Sequence, residues 1–235
     1  MKVTALLTGR GNNTLKDKNV LDVLGHPVLY YPAIAAKESG VINEYYCSSD
    51  DEKILQEAYC VGYEKIVRPQ ELALPTSQHI DCIMHALSVI ENTTELPDIL
   101  VVLLANNVTV KPQWIADCVN KMKQNPDITA VVPVYKDNDH HPLRANRLNG
   151  AGMLEMYTEP ESGSISTNRQ DLPACYFLAH NFWVLNVEYL RTNKGGQPPW
   201  TFMGDKILPY PIEESIDIHS PIDLILAAEW IKENL

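Results

Sequence analysis

Residues 8–19, which follow the first hydrophobic run of the chain, combine positive charge with glycine. The arginine and lysines of this segment can form charge-assisted hydrogen bonds to a triphosphate, and the glycines let the backbone approach a ligand closely. The segment lacks the Gly-Lys-Ser/Thr of a P-loop and the Gly-x-Gly-x-x-Gly of a dinucleotide site. Its composition alone also allows a solvated surface loop. The candidate ligand-binding residues are Gly9, Arg10, Gly11, Lys16 and Lys18.

The elements that must position this segment alternate between short β-rich runs and longer helical patterns. Apolar residues 99–104 favour a strand covered on both faces. The alternation predicts an α/β fold with a doubly wound, mostly parallel sheet, and ligands of such sheets bind at the carboxyl ends of the strands. Strands are predicted at residues 3–7, 44–48, 65–67, 99–104, 128–134 and 182–186. Helices are predicted at residues 27–39, 51–59 and 112–123, from a cap at Ser77 to about residue 90, and from residue 221 onwards.

The alternation stops at residues 136–178, which are polar, rich in Gly, Asn, Ser and Pro, and without helical periodicity. We interpret them as an insertion, an antiparallel arm or a lid within a single domain of residues 1–235. The C-terminal helix has Ser220, Pro221 and Asp223 at positions typical of a capping box. The apolar stripe predicted for that helix consists of Ile222, Ile225, Leu226, Trp230 and Ile231.

Composition limits the classes of function. The 235 residues carry a net charge of −11, which argues against binding to duplex nucleic acid. The longest apolar run, residues 99–105, is shorter than the ~20 residues of a membrane-spanning helix. Five cysteines without a Cys-x-x-Cys pair favour reduced thiols, and we expect a cytoplasmic protein without a membrane partner.

Six motifs resemble, in order, those of the acylneuraminate cytidylyltransferase (CMP-sialic acid synthetase-like) family, which activates sialic, legionaminic, pseudaminic and 3-deoxy-octulosonic acids as CMP-sugars. The resemblance extends from about residue 3 to residue 232. It implies a Rossmann-like nucleotidyltransferase (GT-A-like) fold in which residues 136–178 form an inserted dimerisation arm. The motifs are residues 10–19, Ser48-Ser49-Asp50-Asp51, residues 68–77, His141-Pro142-Leu143-Arg144, residues 169–173, and residues 217–224.

The resemblance implies CTP as one substrate. Arg10 and Lys18 would contact its phosphates as catalytic cations, with Asn19 in support and Lys16 replacing a lysine that the family places earlier in this segment. Arg68, Thr76 and Ser77 would lie near cytosine and ribose. A surface arginine that ends a strand remains an alternative for Arg68.

The resemblance also implies a 2-keto sugar acid as the acceptor of CMP. Arg144 and Arg169 would bind its carboxylate, within one chain or across a homodimer interface, and salt bridges within the arm are the competing role. Asn106 would serve as an amide donor near sugar or nucleotide. His180 would face the site, although an ordinary hydrogen-bonded histidine is an alternative for it and for His140 and His141.

The metal site implied by the resemblance departs from the family. The family has Asp-x-Asp where this chain has Asp217 and His219, and imidazole is a poor ligand for Mg²⁺. Three interpretations remain open: a Mg²⁺ site with one carboxylate, a base or Mn²⁺-tolerant variant, and a non-catalytic or impaired relative that binds nucleotide or sugar. Ser49 or Asp50 is also expected to cap the helix that follows, as Asp223 caps the last helix.

Overall fold

The structure, a computed structural model, describes residues 1–11, 13–158, 165–192 and 195–235. The strands are β1 Val3–Thr8, β2 Asp22–Val23, β3 His26–Pro27, β4 Glu44–Ser49, β5 Glu64–Val67, β6 Ile99–Leu104, β7 Ala130–Lys136, β8 Asn146–Leu148, β9 Leu154–Met156, β10 Tyr176–Leu178, β11 Phe182–Asn186 and β12 Ile207–Pro211. The α-helices are α1 Tyr30–Glu38, α2 Glu52–Cys60, α3 His79–Glu91, α4 Pro112–Gln124, α5 Val187–Thr192 and α6 Pro221–Asn234.

The central sheet has the strand order β10-β7-β11-β6-β1-β4-β5, and β12 pairs with β7 in addition. Strands β4, β1 and β6 are parallel to one another, and β12 is parallel to β7. Strand β11 runs antiparallel to β6 and β7, and β10 runs antiparallel to β7. The predicted mostly parallel, Rossmann-like α/β sheet is therefore confirmed.

Helices cover both faces of this sheet, because its central strands are apolar on both sides. One core contains Leu103 and Val184 with residues of α1, α2 and α4, such as Ala33 and Ile115. The other contains Val102 and Trp183 with residues of α3 and α5. Since Thr8 pairs with Ser48 of β4 and with Leu104 of β6, the carboxyl ends of three strands meet at one edge.

Several predicted boundaries are correct, whereas the start of α1 and the cap of α2 need correction. Strands β6 and β11 have the predicted bounds. The helix predicted from residue 27 begins at Tyr30, because Pro27 pairs with Asp22 in a two-stranded hairpin. Asp51, not Ser49 or Asp50, caps α2 by accepting a hydrogen bond from the backbone N–H of Lys53.

The last helix has the predicted capping box of Ser220 and Asp223. Only two of the five residues of its predicted apolar stripe are buried. Trp230 and Ile231 are buried, whereas the other three members are between 50% and 59% exposed. Those three are Ile222, Ile225 and Leu226.

The segment predicted as an arm contains a separate hairpin, in which β8 pairs with β9 outside the central sheet. Its last three residues, which form β10, belong to the central sheet. No helix in the described part of the chain is long and apolar enough to cross a membrane.

Candidate active site

A cleft of about 230 Å³ lies at the carboxyl ends of β1, β4, β5 and β6. It brings together six residues that the sequence singled out: Gly9, Arg10, Asn19, Arg68, Ser77 and Asn106. Eight further lining residues were missed: Thr8, Asn13, Leu72, Leu74, Gln78, His79, Cys82 and Leu104. The cleft is thus polar on the side of the cation-rich segment and apolar on the side of the loop that carries Leu72 and Leu74.

The backbone of the cation-rich segment after β1 is held in place by hydrogen bonds to two side chains, those of Asp50 and Asn19. Gly11 donates its N–H to Asp50 Oδ1 at 3.0 Å, and a Cβ at this position would lie 2.7 Å from Asp51 Oδ2. Asn19 is buried and donates from Nδ2 to the carbonyl of Arg10 at 3.0 Å. Asn19 therefore supports the loop that carries Arg10, and glycine at position 11 is required by close approach to the start of α2.

The cations of this segment differ in their relation to the cleft, because Arg10 lines it whereas Lys18 does not. Arg10 donates from Nη1 to the carbonyl of Leu74 at 3.0 Å, across the cleft. Lys18 donates from Nζ to the carbonyl of Ile218 at 3.1 Å. Burial lowers the pKa of Lys18, while the nearby Asp217 carboxylate acts in the opposite direction. Lys16 is exposed and does not line the cleft.

Arg68 is only 5% exposed, so it is not the surface arginine allowed by its sequence. It follows β5 and donates from Nη2 to the carbonyl of Ser48 at 2.7 Å and from Nε to the Ser48 hydroxyl at 3.3 Å. Within the described residues no carboxylate forms an ion pair with it. A buried guanidinium with unused N–H groups is well placed to bind acceptor atoms of a ligand.

Ser77 braces the loop that forms the other wall. Its hydroxyl donates to the carbonyl of Glu71 at 2.9 Å and accepts from the N–H of Leu74 at 3.1 Å. Ser77 does not cap α3, which begins at His79, so the predicted cap is wrong. Thr76 is exposed and does not line the cleft.

Asp217 lies beside the cleft because its backbone pairs with the turn after β6. Asn107 and Asp217 form an antiparallel bridge, and the N–H of Ile218 donates to the carbonyl of Asn106 at 3.0 Å. Asn106 also donates from Nδ2 to Asp217 Oδ1. His219 Nε2 lies 3.0 Å from Asp217 Oδ2. Burial raises the pKa of Asp217, and His219 and Lys18 oppose this rise.

Asn107 joins three segments of the site and was missed by the sequence reasoning. It is fully buried, and its Nδ2 donates to the carbonyls of Ala179 and His180 and to the Ser215 hydroxyl. Its Oδ1 accepts from the N–H of Thr109 at 3.0 Å. These contacts hold the segment before β11 and the segment before Asp217 against the end of β6. A long-range network of this kind leaves no local pattern in the sequence.

His79, which lines the cleft, and His180 pack with Trp183, Trp200 and Phe202. The ring of His79 lies 5.0 Å from that of Trp183, and the ring of His180 lies 5.1 Å from that of Trp200. Burial lowers the pKa of His79 to about 4, and it also lowers the pKa of His180. His180 has a positive φ of 49°, a conformation supported by the hydrogen bond that its carbonyl accepts from Asn107.

Arg144 and Arg169 lie together in the arm rather than in the cleft. Both contact Asp139, Arg144 at 3.3 Å, and they line a separate depression of about 320 Å³. Within one chain these two arginines therefore form salt bridges inside the arm. His140 hydrogen-bonds to Asp137 at 2.6 Å, and His141 Nδ1 accepts from the N–H of Leu143, which are ordinary roles for histidine.

The side chains near Asp217 offer few metal ligands. No group of three or more His, Cys, Asp and Glu residues suited to a metal ion occurs in the described ranges. Asp217 and His219 form a pair that contributes one carboxylate and one imidazole. One carboxylate together with substrate phosphates and water is a usual set of ligands for Mg²⁺, and an imidazole suits Mn²⁺ better. The pair therefore fits a divalent ion that arrives with a triphosphate.

The chain resembles known cytidylyltransferases in sequence. The family model described as cytidylyltransferase matches residues 10–176. The chain is 25% identical over 185 residues to the pseudaminic acid cytidylyltransferase of Campylobacter jejuni, with 78% of each protein covered. It is 24% identical to the CMP-N,N'-diacetyllegionaminic acid synthase of Legionella pneumophila, over 100% of this chain and 98% of that protein. It is 25% identical to an N-acylneuraminate cytidylyltransferase of Streptococcus agalactiae, over 96% of this chain but only 52% of that protein.

Two solved structures share the fold. A CMP:2-keto-3-deoxy-manno-octonic acid synthetase complexed with CTP superposes with a TM-score of 0.70 over 100% of both chains, at 12% identity. The 4-diphosphocytidyl-2C-methyl-D-erythritol synthase of Anaerococcus prevotii gives a TM-score of 0.67 over 98% of this chain and 96% of that one, at 11% identity. These likenesses concern the architecture of the sheet and its helices.

Proposed function

The chain belongs to the cytidylyltransferase family, and we propose that it transfers CMP from CTP to the anomeric hydroxyl of a 2-keto sugar acid of the nonulosonate type. Pyrophosphate is the second product. The observation that carries the proposal is the cleft lined by Arg10 and Arg68, beside which Lys18 and the Asp217 carboxylate interact electrostatically. This arrangement places cations around a polar site in a protein whose net charge is −11.

The reaction requires charge neutralisation and positioning more than covalent chemistry. The acceptor oxygen forms a bond to the α-phosphorus, the bond from that phosphorus to the bridging oxygen breaks, and the hydroxyl proton is lost to water. Arg10 and Lys18 bind the phosphates and stabilise the leaving pyrophosphate. Gly9 and Gly11 keep the loop backbone close to the triphosphate, and exposed Lys16 adds charge at its outer end.

Asp217 and His219 would hold a divalent ion, Mg²⁺ or Mn²⁺, together with the triphosphate. When bound, that ion would neutralise charge on the phosphates. Burial raises the pKa of Asp217, so a cation next to the carboxylate would favour its ionised form. Asn106 orients the carboxylate through its amide N–H, which supports a positioning role beside the sugar or the nucleotide.

The acceptor class is supported by the relatives, whose names specify pseudaminic, legionaminic and N-acylneuraminic acids. All three are 2-keto acids, and their carboxylate suits the planar fork of an arginine. Arg144 and Arg169 are the arginines available for this contact. Because they lie outside the cleft of their own chain, the proposal includes a homodimer in which the arm of one subunit reaches the cleft of the other.

The dimer is further supported by apolar side chains on the arm hairpin. Leu148, Met153 and Leu154 are each at least 65% exposed in the single chain. Light scattering at micromolar concentration should give twice the mass of the chain, and Leu154→Asp should give a monomer. A wild-type monomer under these conditions would contradict the arm exchange. We also propose a cytoplasmic location, where CTP is available.

The proposed activity is tested by incubating the protein with CTP, Mg²⁺ or Mn²⁺ and a panel of 2-keto sugar acids. Pyrophosphate and a CMP-sugar should form in a 1:1 ratio with at least one acid. UTP, GTP and ATP serve as matched controls for the nucleotide. The absence of pyrophosphate with every acid, at high protein concentration, would refute the proposal.

A second candidate, an impaired relative that binds nucleotide without efficient transfer, is favoured by one observation. Both carboxylate oxygens of Asp217 already contact protein donors, namely Asn106 and His219. His219→Asp separates the two candidates. A large gain in turnover from a low baseline supports impairment, whereas efficient wild-type turnover supports the main proposal.

A further inference from the structure

His79 lines the cleft and has no role in the proposed transfer of CMP. It is the first residue of α3, and it lies beside the buried Arg68. The apolar residues Leu72, Leu74 and Leu104 line the same cleft. A flat, partly apolar ligand with hydrogen-bonding edges, such as a nucleobase, matches this combination.

The hydrogen bonds around Thr8 define the tautomer of His79. The Thr8 hydroxyl lies 3.2 Å from the carbonyl of Leu103 and 3.0 Å from His79 Nε2. A carbonyl can only accept, and a hydroxyl has one hydrogen to donate. Both contacts are satisfied when Thr8 donates to Leu103 and accepts from Nε2–H of His79. Neutral His79 then carries its proton on Nε2, and Nδ1 is a bare acceptor.

The charge state of His79 agrees with this assignment. Burial is the main cause that lowers its pKa to about 4, and the neighbouring charge of Arg68 and His180 acts in the same direction. The ring is therefore neutral at physiological pH. None of the hydrogen bonds described for the chain uses Nδ1, so it remains free for a ligand in the cleft.

We propose that Nδ1 of His79 accepts a hydrogen bond from the exocyclic amino group of cytosine and thereby selects CTP over UTP. This inference rests on the proposed function. Cytosine presents an amino donor at C4 and acceptors at N3 and O2, whereas uracil presents an acceptor at C4 and a donor at N3. The unused N–H groups of Arg68 complement N3 and O2 of cytosine. With uracil, the bare Nδ1 would face the O4 lone pairs.

The experiment measures nucleotide binding by calorimetry, with Mg²⁺ and without sugar acid. The probes are CTP, UTP and the triphosphate of pyrimidin-2-one riboside, which lacks the amino group. Wild-type protein should bind CTP at least about tenfold more tightly than either of the others, the effect of one good hydrogen bond.

Two variants separate the two ring nitrogens. His79→Gln keeps a donor that can reach Thr8 but removes the acceptor at the δ position, so CTP should weaken about tenfold while the pyrimidin-2-one nucleotide is unchanged. His79→Asn keeps an acceptor at the δ position and should retain most of the preference. His85→Gln, a change on the same helix outside the cleft lining, is the matched control and should leave all three affinities unchanged.

The outcomes distinguish this inference from the proposed function. Equal wild-type affinity for CTP and the pyrimidin-2-one nucleotide overturns the role of His79, whether or not the variants fold. Equal weakening of both nucleotides in His79→Gln also overturns it, because that result indicates a merely structural residue. Failure of the wild-type protein to bind any of the three nucleotides refutes the proposed function itself.

Discussion

The cleft and the arm contain the same kinds of side chain in opposite environments. In the cleft, Arg68 is buried and lacks a carboxylate partner among the described residues, whereas Arg144 and Arg169 of the arm are solvent-accessible and share Asp139. Exposed ion pairs contribute little because water screens them. Buried polar groups must be matched individually, because an unmatched one costs the full desolvation energy. The comparison therefore predicts that equivalent substitutions have larger effects in the cleft than in the arm.

The largest effect is expected for Asp217→Asn. Loss of the carboxylate that contacts both Asn106 and His219 should lower turnover about 100- to 1000-fold, the range for removal of one preorganised electrostatic group. Stability should not fall, because burial disfavours the ionised form of this side chain. Pyrophosphate release and urea unfolding at pH 7 measure the two quantities.

The control for Asp217 is Asp171→Asn in the arm, where the exposed carboxylate accepts a hydrogen bond from the Ser166 hydroxyl. It should leave turnover within about twofold. Turnover of Asp217→Asn above a tenth of the wild-type value would remove Asp217 from the site.

The second prediction compares two asparagines. Asn107→Ala deletes a fully buried amide that bonds to four groups, and should lower the free energy of unfolding by about 2–4 kcal/mol. Asn149→Ala deletes an exposed amide that bonds to the N–H groups of Ala151 and Met153, and should cost less than about 1 kcal/mol. Similar losses in urea titrations of both variants would show that burial does not separate the two regions.

The third prediction concerns the arm arginines. Arg144→Ala and Arg169→Ala should each raise the KM for the sugar acid about 10- to 100-fold and leave CTP affinity unchanged. Lys123→Ala, at the exposed end of α4, is a control of equal charge change. Weaker CTP binding in either arginine variant would assign the arm to the nucleotide instead.

The smallest effect concerns stability against pH. The pKa of His79 is lowered from 6.5 to about 4, so between these values the unfolded chain binds a proton that the folded chain does not. Stability should fall by about 1–2 kcal/mol from pH 7 to pH 5 through this group. The fall should be smaller in His79→Gln. If the free energy of unfolding, measured by urea titration, falls equally between pH 7 and pH 5 in the wild-type protein and in His79→Gln, the burial of this imidazole is contradicted.

His140 in the arm should act with the opposite sign. Its hydrogen bond to Asp137 raises the pKa of His140, so its contribution is present below about pH 6.5 and is lost as pH rises through the raised value. Both partners are solvent-accessible, so His140→Gln should change the pH profile only slightly.

Local sequence patterns predicted most elements of the fold. Strands β6 and β11 have their predicted bounds because β6 is a continuous apolar run and β11 is an apolar run that ends at Asn186. Pro27 was misassigned because proline suits both the first turn of a helix and the edge of a short hairpin. Ser77 was misassigned as a cap because its hydroxyl finds partners in the preceding loop.

The candidate site was only partly predictable. Arg10, Asn19 and Arg68 were found because they lie in short motifs next to strand ends. His79 and Asn107 were missed because their partners lie tens of residues away, at Thr8, His180 and Ser215. Nothing in their immediate neighbours distinguishes them from an ordinary helix start and an ordinary turn.

The sequence by itself determined the α/β class, the order of the elements and the cation-rich loop after β1, because these depend on hydrophobic periodicity and short-range backbone preferences. The tertiary structure alone decided which polar side chains share one cleft, which arginine is buried and which are left on the arm. Those properties depend on strand order, since parallel pairing brings Thr8, Ser48 and Leu104 to one edge across 96 residues of chain. Burial then determines the energetic weight of each group, and burial is a property of the assembled fold.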